Sequence, residues 1–411
     1  MAMTAHEHSR PVGHRSPGRL REVFLAFLRL GLTAFGGPLA HLGYMREEFV
    51  QRRRWLDDAA FAQLLAVCQF LPGPASSQMG FAIGLLRGGW GGALAAFVAF
   101  TLPSALLLFA FAALAPHLAD GPGQAAMHGL KLVAVAVVAH ALLGMARKLA
   151  PDVTRVLIAV AAGLLVALAG TAWMQLLAIA LGGALGLWLC RGLPPAAAMA
   201  RVPLPHGTRG AAVFAALFLL GLGAALLLPA DGAPGAANLA AAFYQAGALV
   251  FGGGHVVLPL LQQTVVESGW VGLDTFLAGY GAAQAVPGPM FSLAAFLGAE
   301  VPLGLPAAVG ATVALLAVFL PGFLLLLAVL PLWARVAPRP RVTHAVAGIN
   351  AAVVGLLAAA LYDPVLASGI RGPADLAIAA LGFLLLAVAR VSALWVVLWC
   401  VAASMALGAL G

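Results

Sequence analysis

Residues 32–56 read LTAFGGPLAHLGYMREEFVQRRRWL, and residues 69–89 read QFLPGPASSQMGFAIGLLRGG. Each is an apolar segment interrupted by a helix-breaking word, Phe35-Gly36-Gly37-Pro38 in the first and Pro72-Gly73-Pro74 in the second. The words return later as Phe251-Gly252-Gly253-Gly254-His255 and Pro287-Gly288-Pro289, with Trp55 and Trp270 at matching places between them. Gly36 and Pro72 are 36 positions apart and Gly252 and Pro287 are 35 apart, so the chain contains an internal repeat. Breaks at corresponding places in two hydrophobic halves are the sequence pointer to a midplane binding site in a secondary transporter.

Composition fixes the environment. With 63% hydrophobic residues, 9% charged residues and a mean hydropathy of +1.02 over 411 residues, the chain belongs in a bilayer rather than in water. Cys68, Cys190 and Cys400 are scattered through apolar segments and lack CxxC or His spacing, which makes them packing residues. The formal charge of +8 fits basic cytoplasmic loops better than a nucleic-acid partner, and none is expected. Residues 1–22 carry Arg10, Arg15, Arg19 and Arg21 without an apolar core or cleavage site, and read as a disordered basic cytoplasmic tail.

The expected fold is an all-α polytopic membrane protein of two inverted-topology repeats, at 23–190 and 231–411, joined by a linker and a connecting helix at 191–230. The arms around Pro72-Gly73-Pro74 hold roughly a dozen residues each, against about 20 for a full crossing, so they read as a re-entrant hairpin. Further spans are expected at 90–115, 127–145, 156–170, 173–189 and 211–228, then at 306–330, 342–361, 376–389 and 393–410. Charge placement supports inversion. If each pair of broken segments dips in and returns, Arg52, Arg53, Arg54, Arg87, the 147–155 turn and the 191–209 linker share the cytoplasmic side. The extra span at 211–228 then turns the second half over, and no Lys or Arg occurs between Arg209 and Arg335. Arg371 is the outer-loop exception.

A helix that starts inside the membrane presents unpaired N–H groups and the positive end of its dipole. Pro38, Pro74 and Pro289 suit a first helical turn, and Gly36, Gly37, Pro72, Gly73, Gly252, Gly253, Gly254, Pro287 and Gly288 permit tight turns and close approach. Four such starts, two per half, suit an anion. Gln69, Ser76, Ser77, Gln78, Gln284 and Ser292 add neutral hydrogen-bonding groups, while Arg29 and His255 are candidates for positive potential. Kinking or close helix packing would also explain a single break; duplication beside polar donors favours the site. Lys131 within an apolar span, and Asn350 at its repeat-related position, are candidate charge or gating groups together with Arg52, Arg53 and Arg54. His41, His128, His140 and His344 read more readily as packed or interfacial histidines than as proton carriers. Glu47, Glu48, Asp57 and Asp58 are expected to pair with the Arg loop. There is no Walker-type phosphate loop, no HExxH and no metal-ligand spacing, so neither catalysis, cofactor nor metal is expected. A membrane enzyme acting on lipid phosphate would need a carboxylate pair or a nucleophile with its base, and the acid near the breaks is Glu300, at a helix end.

With these motifs in hand, the chain closely resembles the chromate ion transporter family in its long, two-domain form. The stretches that carry the resemblance are 32–56, 69–89, FTLPSALLL (100–108), VFGGGHVVLPLL (250–261), AAQAVPGPMFSLAAFLGAE (282–300) and INAAVVGLLAAALYDPV (349–365). The resemblance implies a multi-pass protein of the bacterial inner membrane that exports chromate and confers resistance to it, with the FGG and PGP residues mattering for transport. Gly254 stands where Pro38 does in the first half, a departure that puts equal roles for the two FGG words in doubt. Sulfate or another tetrahedral oxyanion stays open as the substrate, a homodimer is compatible with the chain, and membrane potential, a proton gradient or both are the expected drive.

Overall fold

The structure, a computed structural model, describes residues 17–118, 120–169, 172–193, 206–228, 234–252 and 254–410. Of the expected disordered tail at 1–22, residues 17–22 are instead the start of α1; residues 1–16, linker residues Pro194, Pro195 and Arg201, and Gly253 of the second FGG word lie outside the described residues. Helices α1 (Pro17–Thr33), α2 (Gly37–Arg46), α3 (Asp58–Phe70) and α4 (Ala75–Leu114) lead into α5 (Pro122–Leu149), α6 (Val153–Ala169), α7 (Ala172–Leu189) and α8 (Thr208–Leu227). The second half holds α9 (Ala236–Leu249), α10 (Val257–Val265), α11 (Leu273–Ala283), α12 (Leu293–Glu300) and α13 (Ala307–Val329). It continues through α14 (Trp333–Val336), α15 (Pro340–Ala360), α16 (Ala367–Gly369), α17 (Pro373–Ala387) and α18 (Ala393–Leu410). Among the described residues five helical stretches are long and apolar enough to cross a membrane, at Ala75–Leu118, Pro122–Leu149, Thr208–Leu227, Ala307–Val336 and Pro340–Gly369. With the shorter apolar helices they make a multi-pass, all-α membrane protein.

The helix ends follow from local chemistry. Asp57 caps α3 by accepting the Ala60 N–H at 2.7 Å, and Asp152 accepts the Arg155 N–H at 2.9 Å just before α6. The Arg155 guanidinium on the same carboxylate holds Asp152 below its usual range. Helix α4 is two arms: Gly88 (φ −132°, ψ 16°) and Gly89 (φ 62°, ψ −154°) leave the helical region. The chain turns back there, so that a Cβ on Gly84 would strike the Gly92 carbonyl. Gly298 and Gly310 meet in the same way between α12 and α13.

One ionic cluster shows where the broken segments begin and end. Arg87 Nη2 donates to Glu22 Oε2 at 3.0 Å, Trp55 Nε1 donates to Glu22 Oε1 at 3.3 Å, and Arg53 Nη1 lies 3.7 Å from the same carboxylate. The Arg53 and Arg87 guanidinium groups sit over the Trp55 ring at 5.4 and 5.1 Å. The start of α1, the 52–55 turn and the end of the first arm of α4 are therefore together, and the chain dips and returns twice between them. The 3-10 turn that follows α4, Ala115–Leu118, instead shares a cavity with Asp274 and Glu300, which open α11 and close α12.

The halves interlock by exchange. Helix α5 packs on α17 and α18 of the other half, and α15 packs on α6 and α7. Small residues allow the close approach: Gly129 abuts Cys400 and Val401, while Gly348 abuts Gly182 and Gly186. In a membrane, where helices gain no hydrophobic drive against each other, such backbone contacts supply dispersion and fix the pairing.

Candidate oxyanion site at the helix breaks

The two halves are hooked together at their breaks. The Gly73 N–H of the first PGP word donates to the Val250 carbonyl, next to the second FGG word, at 2.7 Å; the Gly288 N–H of the second PGP word donates to Ala34 O, next to the first FGG word, at 3.0 Å. His255 Nε2 lies 4.0 Å from the place a Cβ on Gly37 would take, which brings the two FGG words side by side. All four breaks thus meet in one place, each half offering its PGP turn to the other's FGG turn.

Glycine is required there by backbone geometry. Gly36 (φ 101°), Gly37 (φ 77°), Gly73 (φ 116°), Gly252 (φ 76°) and Gly288 (φ 100°) occupy a region that a side chain makes costly. Space adds to this, most firmly at Gly73 and Gly288, where backbone atoms are among those in the way. A Cβ on Gly73 would lie 3.0 Å from Gly322 Cα, and one on Gly288 would lie 2.9 Å from Ser104 Oγ and 3.2 Å from the Phe100 carbonyl.

The helix starts differ in detail between halves. Pro38 stands in the first turn of α2, as the sequence predicts, with Gly36 as its cap. Pro74 and Pro289 stand one step earlier than a first-turn position, as caps of α4 and of a 3-10 turn at Met290–Ser292 ahead of α12. Gln78 N–H makes the first intrahelical bond of α4, to Pro74 O; the N–H groups of Ala75, Ser76 and Ser77 therefore precede the ladder. Gly254, in the place of Pro38, opens a 3-10 turn (Gly254–Val256) before α10.

Neutral polar groups surround the breaks. Gln78 Nε2 donates to Pro72 O and Gly322 O, both at 2.9 Å, tying the first PGP turn to α13. Ser292 Oγ is 2.6 Å from Ser104 Oγ, tying the second to α4. Ser77 is 3% exposed and its Oγ has no partner, so a buried donor is left free beside the free N–H groups. Ser76 is also buried. His255 Nδ1 is 2.9 Å from the Tyr280 hydroxyl. The unpartnered Asn350 Oδ1 lies 3.6 Å from the Cβ position of Gly252. Gln284 reaches Tyr280 O at 3.5 Å and Met290 Sδ at 3.9 Å, both weak contacts within its own half. None of these contacts involves a carboxylate.

Other predicted residues lie elsewhere. Arg29 is exposed on α1, and Gln69 is exposed at the end of α3 with Lys148 Nζ 3.5 Å away. Arg52 and Arg53 bind Glu48 at 2.7 and 2.6 Å at the Glu22 end of the bundle, and Arg46 binds Asp58 at 2.7 Å. Arg54 is exposed with φ 52°. Lys131 pairs with Asp274 at 2.8 Å at the opposite end, so it does not share the place of its counterpart Asn350. Sequence reasoning missed Ser104, Gly322 and Tyr280. A signal for the first two exists, because Leu102-Pro103-Ser104 and Leu320-Pro321-Gly322 are a third repeated word.

Comparison with known proteins agrees with this architecture. A family profile described as "Chromate transporter" matches residues 21–187 and 237–407, one block in each half. The chain belongs to the chromate transporter family. The transporter is 29% identical over 354 residues to a "Probable chromate transport protein" of Synechococcus elongatus, covering 83% of this chain and 84% of that one. It is 29% identical over 353 residues to a "Chromate transport protein" of Cupriavidus metallidurans, covering 83% and 82% of the two chains. A third, from Pseudomonas aeruginosa, is 28% identical over 362 residues, with 83% and 80% covered. No solved structure matches the transporter. The two profile blocks exclude α8, and they end in α7 and α18, two of the interlocked helices.

Proposed function

We propose that the transporter carries chromate out of the cytoplasm, that the four breaks form its oxyanion site, and that the two halves are inverted relative to each other. The observation that carries the site is the crossed pair of hydrogen bonds, Gly73 to Val250 and Gly288 to Ala34. They gather helix starts and neutral donors from both halves around one point with no carboxylate among the contacts. Free N–H groups at helix starts, with hydroxyls beside them, suit a tetrahedral dianion by shape and charge. Inversion is supported by the two bundle ends. The hairpins of the first half open at the Arg-rich Glu22–Arg87 end, and α11 and α12 open at the other, which the charge bias makes the outer side.

Export follows from energetics. Each elementary charge is worth about 2.3 kcal/mol per 100 mV, so a dianion leaving a negative interior gains roughly twice that. Proton exchange would add to the drive. Because backbone and hydroxyl donors read shape rather than the central atom, sulfate is the second substrate on this reading. The test is uptake of labelled chromate by everted membrane vesicles energised with and without a pH gradient. Uptake that follows membrane potential and is inhibited by sulfate supports the proposal; absence of uptake at normal abundance overturns it.

A further inference from the structure

Two cations break the charge pattern of this chain. Lys131 is alone between Arg87 and Arg147, and Arg371 is alone between Arg341 and Arg390. They belong to different halves, yet both line one cavity of ≈ 370 Å³ at the end of the bundle opposite Glu22 and Arg87. At about 30 Å³ per water this is room for roughly a dozen waters. Asp274 and Glu300 also line it. These residues open α11 and close α12, the arms of the hairpin around Pro287-Gly288-Pro289, so the cavity lies at the mouth of that hairpin. Eleven residues of α11 separate it from the break, about 16 Å along the helix.

The charges there are not equally committed. Asp375 is held by His128 Nε2 at 3.0 Å and by the Arg371 backbone N–H at 2.9 Å. The Arg371 guanidinium makes no hydrogen bond or ion pair among the described residues, although its charge acts on Asp375, and it is exposed to the cavity. Lys131 Nζ holds Asp274 at 2.8 Å, but the two partners differ sharply in burial, with side chains 5% and 69% exposed. Lys131 cannot lose its counter-charge without cost, because a buried unpaired ammonium is strongly disfavoured. Asp274 can leave cheaply, since its carboxylate returns to water. An incoming anion can therefore take its place.

We propose that this cavity is a second, exit-side site for a tetrahedral oxyanion dianion, held by Lys131 Nζ and the Arg371 guanidinium, with Asp274 the counter-ion displaced on entry. The proposal rests on the export reading above for its direction. An anion leaving the breaks through the outer hairpin meets these cations first, and Asp274 reclaims Lys131 once it has gone.

The test is equilibrium binding of radiolabelled sulfate to the full-length transporter in nanodiscs, alongside inhibition of chromate efflux by sulfate added to the outer face of oriented proteoliposomes. Asp274→Asn removes the competing carboxylate and should tighten the outer sulfate site on the order of tenfold; Arg371→Gln should weaken it by a similar factor. Lys131→Gln combined with Asp274→Asn, which leaves no unpaired charge behind, should abolish one class of sulfate site while the protein keeps its thermal unfolding midpoint. Unchanged sulfate affinity in all three folded variants would overturn the site. If the variants shift nanodisc binding but wild-type vesicles export no chromate, the export reading fails and the site stands. If export is normal and no variant moves the outer inhibition constant, the site fails alone.

Discussion

Replacing Gly73 by valine tests whether the crossed hooks, rather than mere kinks, make the site. Gly73 sits at φ 116°, where a residue with a Cβ is strained by about 1–2 kcal/mol and a β-branched one by more. Its Cβ would also stand 2.9 Å from Gln78 Nε2 and 3.0 Å from Gly322 Cα. Gln78 can swing aside but then loses its bonds to Pro72 O and Gly322 O; Gly322 is backbone and can yield only if α13 shifts. Two lost bonds at about 1 kcal/mol each, and a third if the Gly73 N–H leaves Val250 O, bring the total to about 4–5 kcal/mol. That is enough to unhook the halves while leaving apolar spans inserted. Gln78→Leu, which removes the bonds without the strain, should cost about 2 kcal/mol and retain part of the activity. The measurements are thermal unfolding of the purified protein in detergent and chromate uptake by everted vesicles at matched membrane abundance. Normal uptake by the valine variant, with an unfolding midpoint close to wild type, would refute the reasoning and reduce the PGP words to helix kinks.

Cysteines placed at Gln51 and Ser268 should react with an impermeant thiol reagent from opposite faces, against a quiet background because Cys68, Cys190 and Cys400 are buried; labelling of both from one face would sink the inverted arrangement. Ser76→Ala with Ser77→Ala should weaken chromate binding more than either change alone, and sulfate should compete where nitrate and chloride compete much less. Normal binding by the double variant would make those serines packing residues. Ser104→Ala and Ser292→Ala should show a coupling of about 1 kcal/mol in a double-mutant cycle of thermal stability, given their 2.6 Å contact; additive effects would mean the hydroxyls are satisfied separately.

Membrane class, helix positions and the location of the breaks were legible in the chain itself, because they depend on local quantities. Apolar run length decides what can cross, and glycine beside proline decides where a helix must stop, whatever surrounds it. The predicted end spans at 306–330 and 393–410 fall within a residue or so of α13 and α18. Which break meets which was not legible. The partner of Gly73 is Val250 and that of Gly288 is Ala34, contacts that span the two halves and carry no local pattern. Ser104 and Gly322 were missed although they close a repeated Leu-Pro word: the word marks matching places, but each looks like a packing residue in its own helix, and only close approach of a turn from elsewhere gives it a role. Lys131 and Asn350 show the limit most clearly. They are repeat-related in sequence, yet one pairs with Asp274 at a bundle end and the other lies beside Gly252 among the breaks. Sequence symmetry places backbones alike; side-chain partners are chosen by whichever half happens to face them, and tertiary packing alone decides that.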